Sequence, residues 1–126
     1  MLKTISLILL LLITSGVSAE ECTRDWIGIC KEDKGVFYVT EVLLLLDAMQ
    51  THDIPRHPGH YESNRYLGPY PSNHRINNYF GGWAVTTYLV NRYGNKFLRT
   101  GFNGGVIVVE LMAVSHNYSA GINFKF

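Results

Sequence analysis

Three apolar blocks of helical length, each interrupted by carboxylates or carboxamides, constrain this chain more than any other feature. They cover residues 35–51 (GVFYVTEVLLLLDAMQT), 73–93 and about 96–116. The chain has 126 residues, which is enough for one domain. Three helices can bury one another only in part, and each block is apolar nearly all round. Their packing leaves aliphatic surface outside, for which lipid is the natural solvent. Uninterrupted apolar runs reach only about 10–15 residues, a length that more often marks buried core than a bilayer span. The expected fold is therefore mainly α: about three apolar helices in a small membrane bundle, with a Pro-rich loop between the first two.

The stretch ahead of these blocks reads as an export signal. Lys3 supplies a positive charge, Ile5–Ile13 is an apolar run, and Val17-Ser18-Ala19 sets small side chains at a cleavage site. Residues 1–19 are accordingly read as a signal peptide cleaved after Ala19, 20–34 as a polar segment, and 35–126 as the helical membrane domain. Cys22 and Cys30 are the only two cysteines. In an oxidising compartment such a pair closes a small disulfide loop. The leader also accounts for most of the chain's hydropathy, whose mean is +0.04.

Charge excludes some partners and leaves orientation open. A formal net charge of +1 offers no field for nucleic acid. Arg24, Lys31 and Lys34 precede the first block, Arg56, Arg65 and Arg75 follow it, and Arg92, Lys96 and Arg99 join the last two. That distribution gives no positive-inside bias.

Residues 52–75 hold all 4 prolines and form a loop. Ser72 reads as the N-cap of the second helix, and Gly94-Asn95 as its end. On a helical wheel Thr40, Asp47, Gln50 and Thr51 share a face, with Val42 and Leu45 pointing elsewhere. Asn103, Glu110 and Asn117 recur at sevens in the third block. Gly101 and Gly105 form a G-x-x-x-G spacing suited to close helix approach.

Glu41, Asp47 and Glu110 are ionisable groups in apolar surroundings, which marks them as functional candidates. Asp47, Gln50 and Thr51, with Glu62 and Asn64 from the loop and Asn78, Glu110 and Asn117 from the later helices, can form one polar cluster. Such a cluster is either a small binding or catalytic pocket or a network fixing the loop to the bundle. His57 and His60 have a spacing that can chelate a divalent metal. No phosphate loop, nucleophile elbow or Cys-His pair is present, so no cofactor is expected.

A rival reading starts from the end of the chain. Tyr118, Ala120, Ile122, Phe124 and Phe126 alternate with polar or small residues, a pattern that resembles the final strand of outer-membrane β-barrels. The smallest such barrel needs 8 strands of about 9–11 residues, which leaves no place for the proline-rich loop.

The run Asp47-Ala-Met-Gln50-Thr51, then Glu62-Ser-Asn64, Leu67-Gly68, Pro71-Ser72 and Asn78-Tyr79-Phe80, resembles a group of small uncharacterised bacterial and phage membrane proteins. Their pattern is D-x-x-Q-T followed by E-x-N-P-x-L-G-x-x-P-S. Glu110 and the spacing from Asn117 to Gly121 match their closing helix and tail. The chain departs from the pattern at Arg65, where the group has proline. The resemblance implies a helical membrane protein and supplies no activity, substrate or cofactor.

The leading expectation is a small exported integral membrane protein with an envelope structural or interaction role. Its partners would be the bilayer and either another membrane protein or a second copy, with the inner membrane favoured over the outer. The alternatives are a membrane-associated metal-binding protein or enzyme built on the polar cluster, and a small outer-membrane barrel.

Overall fold

The computed structural model describes residues 22–122. The leader, its expected cleavage after Ala19 and the last four residues of the alternating tail lie outside them. Three helices account for most of the described chain: α1 (Lys34–Asp53), α2 (Asn73–Tyr93) and α3 (Lys96–Ser119), with a 3-10 turn at Ile54–Arg56 after α1. The connection of α2 to α3 takes two residues, so these helices run antiparallel. The far end of α1 meets the start of α2 through His52 and Asn73, and its near end meets the start of α3 through Asp33 and Arg99. The bundle is thus up–down–up, with α1 packed against both neighbours.

The helix boundaries follow local chemistry. Ser72 caps α2, its Oγ accepting the Arg75 N–H at 3.3 Å, and Asn95 caps α3, its Oδ1 accepting the Leu98 N–H at 2.8 Å. Gly94 ends α2 with φ −71°, not in the left-handed region. A side chain there would bring its Cβ to 2.5 Å from the Val90 carbonyl oxygen, so glycine is required by close approach. The third helix runs past His116 to Ser119. It ends in a reversal at Gly121 (φ +82°), where Gly121 N–H bonds Tyr118 O and Ile122 N–H bonds Asn117 O, both at 3.0 Å. This paired closure requires the left-handed residue that glycine supplies.

Two expectations need correction. The alternating pattern from Tyr118 does not make a barrel strand in its described part, because Tyr118 and Ser119 are the last turn of α3. Among the described residues there is no strand, only an isolated bridge between Arg24 and Cys30. Gly101 and Gly105 do not sit between helices of the bundle either. A Cβ added at either would meet nothing within 4 Å, because both face outward.

The bundle interior is polar along much of its length. Leu44, Ile76 and Phe80, with Leu67 from the loop, form the apolar cluster, with Ala48, Tyr79 and Val106 against it. Elsewhere Thr40, Gln50, Thr51, Thr87, Asn91 and Asn103 are buried. Asn91 and Asn103 exchange two hydrogen bonds between α2 and α3, at 3.0 and 2.8 Å, and Asn91 also donates to the Thr87 carbonyl at 2.8 Å. Outside stand Val39, Val42, Leu45, Val85, Val108, Val109 and Met112.

The N-terminal segment closes one end. Cys22 and Cys30 form a disulfide. Tyr88 Oη and Arg92 Nη1 both donate to the Ile27 carbonyl, at 3.1 and 3.0 Å, and Arg24 donates to the Arg92 carbonyl. Asp25 Oδ1 accepts the N–H groups of Ile27 and Ile29, each at 3.0 Å, and its Oδ2 lies 3.3 Å from Lys34 Nζ. Burial pushes the Asp25 carboxyl up, but the Ile29 N–H, the Lys34 ammonium and the Ile27 N–H together hold it below its ordinary 3.8.

Two outcomes follow from these contacts. Asn103→Ala leaves Asn91 Oδ1 without its donor while Asn91 Nδ2 keeps the Thr87 carbonyl, and it costs about 1–3 kcal/mol in thermal unfolding, whereas the double Leu variant at 91 and 103 recovers most of that loss. Because the folded carboxyl of Asp25 lies below 3.8, its stabilisation is present above that pH and drains as pH falls through the folded value. Acid unfolding followed by circular dichroism loses that component in Asp25→Asn.

Candidate functional site

The end of the bundle opposite the disulfide gathers most of the polar residues picked out in the sequence. From the last two turns of α1, Asp47, Gln50 and Thr51 face α3 and the loop. Asn117 of α3 donates from Nδ2 to Asp47 Oδ1 at 3.2 Å and to Gln50 Oε1 at 3.3 Å. Gln50 in turn donates from Nε2 to the carbonyls of Val114 and Ile122, at 3.3 and 3.4 Å. Its carboxamide therefore bridges α1 to α3 and to the reversal that follows α3. Asp47 also meets the Glu110 carboxyl across α1 and α3.

The loop joins the same end. Thr51 Oγ1 donates to Glu62 Oε2 at 3.4 Å, and Glu62 Oε1 accepts the Asn64 N–H at 2.6 Å. Asn64 builds the next turn: its Oδ1 accepts the Tyr66 N–H, and its carbonyl accepts those of Leu67 and Gly68, all at 3.0 Å. Gly68 takes φ +79° there. This turn drives Leu67 into the apolar cluster, where it is 1 % exposed. Arg75 Nη1 donates to the Leu67 carbonyl at 3.1 Å.

Asn78 lies apart from this network. It is exposed and contacts His74 one turn back on α2, at 2.9 Å. Glu41 is half-buried on α1, and its Oε1, like Glu110 Oε2, is enclosed with no hydrogen-bond partner among the described residues. His57 pairs with Asp53 at 2.7 Å, and its ring centroid lies 6.0 Å from that of His60. Among the described residues no group of three or more His, Cys, Asp or Glu side chains could hold a metal ion.

Several fixing residues escape a reading by residue type. Arg99 is 4 % exposed, with Nε 2.6 Å from Asp33 Oδ2 and Nη1 2.8 Å from the Gly94 carbonyl. It ties the start of α1 to the α2–α3 turn, yet in sequence it looks like one more basic residue near a helix end. Asn91 is hidden in the same way, since a carboxamide three residues before a terminal glycine reads as a boundary. The seven-residue spacing of Asn103 with Glu110 and Asn117 is the signal that an inward polar row exists.

Chemically, the cluster is a carboxamide-and-carboxyl network whose acceptors and donors mostly satisfy one another. It fastens the loop and the end of α3 to α1. Asn117→Ala removes both bonds to α1 and is expected to speed amide hydrogen exchange at Gly121 and Ile122 while leaving the disulfide end unchanged. Gly121→Ala places a Cβ in the left-handed region and costs about 1–2 kcal/mol in thermal unfolding.

Comparisons with protein-family models, with curated proteins and with solved structures find no match to this chain.

Proposed function

We propose that this chain is a small integral membrane protein of the cell envelope, whose role is structural or interactive and whose lipid-facing exterior encloses a polar seam. The observation that carries this reading is the placing of polar side chains among the buried Phe37, Leu43, Leu44, Ile76, Phe80 and Val90 while aliphatic ones cover much of the outside. Six hydroxyl and carboxamide side chains are buried at helix contacts, while branched aliphatic side chains stand outside. Water would favour the reverse arrangement, and lipid accepts this one.

Dimensions support the same reading. The helices have 20, 21 and 24 residues, or about 30–36 Å at a rise of about 1.5 Å per residue. The hydrocarbon layer is about 30 Å thick. One of them, Lys96–Ser119, is long and apolar enough by itself to cross a membrane, with mean hydropathy 1.4. Most exposed aromatics lie toward the two ends, Trp26, Tyr38, Tyr93 and Phe97 at the disulfide end and Tyr61, Tyr66, Tyr70 and Tyr118 at the other, with Trp83 midway along α2. Lipid–water interfaces collect such rings. The described basic residues also lie in or near the two ends, and no Lys or Arg falls between Arg75 and Arg92 on α2 or after Arg99 on α3.

The disulfide orients the proposal. An oxidised Cys22–Cys30 pair belongs on the side of the membrane where thiols are oxidised. Three crossings then set the 57–72 loop on the opposite side. The sequence resemblance to small bacterial and phage membrane proteins agrees with this assignment.

Val109 discriminates lipid from water. It is 62 % exposed near the middle of α3, so Val109→Arg in water changes stability by no more than about 0.5 kcal/mol. In a bilayer the same change costs about 2.5–3.5 kcal/mol. The expected result is that wild-type protein stays in the membrane pellet after alkaline carbonate extraction and leaves it only with detergent. Val109→Arg then lowers the inserted fraction. A chain recovered in the soluble fraction, with Val109→Arg neutral, overturns the proposal.

A further inference from the structure

We infer that the His57–His60 turn is a two-imidazole site for a divalent transition cation such as Zn2+, with Asp53 as the carboxylate that orients it. The inference is independent of the membrane reading, because it rests on one turn and the helix end beneath it.

The sequence His57-Pro58-Gly59-His60 closes on itself, the His60 N–H bonding the His57 carbonyl at 3.1 Å, with Gly59 at φ +84°. Proline second and left-handed glycine third are the residues that a type II turn requires. Such a turn is short and stiff, and it carries its first and fourth side chains close together. The two rings stand with centroids 6.0 Å apart and planes at 79°. With Zn–N bonds of about 2.0–2.1 Å, each centroid lies about 3.2 Å from the ion, so two imidazoles on one ion stand about 5–6.4 Å apart. The observed separation falls within that range before any cation draws the rings together.

Each ring keeps one nitrogen for it. His57 Nε2 is held by Asp53 Oδ2 at 2.7 Å, which leaves Nδ1 for a cation. A carboxylate on the far nitrogen is the usual support of a metal-bound histidine, fixing its tautomer and raising its basicity. Asp53 is 5 % exposed, so it is an anchored support, and its Oδ1 lies 3.4 Å from Arg56 Nη1. His60 Nδ1 is enclosed and has no hydrogen-bond partner among the described residues. A cation there would satisfy that nitrogen. Pro58 and Gly59 are exposed and both histidines are partly so, so a rotation of the His60 ring opens Nδ1 to a cation and water completes the shell.

The test is calorimetric titration of ZnCl2 into the full chain, purified without a histidine tag. Binding of one equivalent is expected in the wild type and in His116→Ala, and its loss in His57→Ala and in His60→Ala. Asp53→Asn is expected to weaken affinity 10–100-fold. Electron paramagnetic resonance with Cu2+ serves as the second measurement, with hyperfine structure from two imidazole nitrogens expected. No uptake of Zn2+ by the wild type, or uptake indifferent to both loop substitutions, overturns the site. Affinity unchanged in Asp53→Asn overturns the role given to that carboxylate.

Discussion

A carboxamide held in an apolar interior must find partners for its amide hydrogens and its oxygen, or the helix that carries it is expelled from the contact. The reciprocal bonding of Asn91 with Asn103 meets that demand across α2 and α3, and much else in the bundle depends on it. With both amides satisfied, the two-residue connection at Gly94-Asn95 can bring the helices directly together. That places Arg99 where it reaches Asp33 at the start of α1. The register of α1 against α3 is then set at one end by this ion pair and at the other by Gln50 and Asn117. Three polar contacts spaced along the seam set the register beside the apolar cluster of Leu44, Leu67, Ile76 and Phe80.

The loop between α1 and α2 is as determined as the helices, although it carries little regular structure. Each of its marked residues has a mechanical task. Glu62 takes the Thr51 hydroxyl and the Asn64 N–H, Asn64 nucleates the turn, Gly68 supplies the left-handed backbone, and Leu67 enters the core. Ser72 then starts α2. The network reading of the polar cluster accounts for these contacts one by one. It also explains why carboxyl groups sit at this end of α1: they hold the loop and the α3 reversal, each of which exposes backbone groups that need partners.

Much of this was legible in the sequence because it depends on local chemistry. The three helices, the proline-rich loop, the Ser72 cap and the shared polar face of Thr40, Gln50 and Thr51 follow from periodicity and capping. The disulfide-forming pair follows from its being the two cysteines of the chain at a short spacing. What was not legible depends on which face each helix turns to which neighbour. Gly101 and Gly105 suggested a close helix contact, but α3 meets α1 and α2 through Asn103, Val106 and Asn117, and its glycines face outward. Asn78 shares its helix with Phe80 yet lies on the opposite side. In its described part the alternation from Tyr118 belongs to a helix end, since a helix closing at a left-handed glycine can carry the same letters as a strand. Periodicity fixes a face; only tertiary packing fixes what that face meets.

The buried polar residues also lower the average hydropathy of two helices. In α1, Thr40, Gln50 and Thr51 lower the mean although all three are buried, and in α2 Thr87 and Asn91 do the same. Outward on those helices stand Val39, Val42 and Leu45 on α1 and Val85 and Leu89 on α2, whereas the first two turns of α2 expose Asn73, His74, Asn77 and Asn78. A windowed average counts inward and outward residues alike, so a helix that spends positions on an internal polar seam scores as less apolar than the surface it presents. Lys96–Ser119 passes such a test because its inward polar residues, Asn103, Glu110 and Asn117, are seven apart and leave long apolar stretches between them. The informative quantity is the polarity of each face: α1 turns aliphatic residues outward along its length, while α2 does so only past Gly82, its first turns burying Ile76 and Phe80 and exposing Asn77 and Asn78.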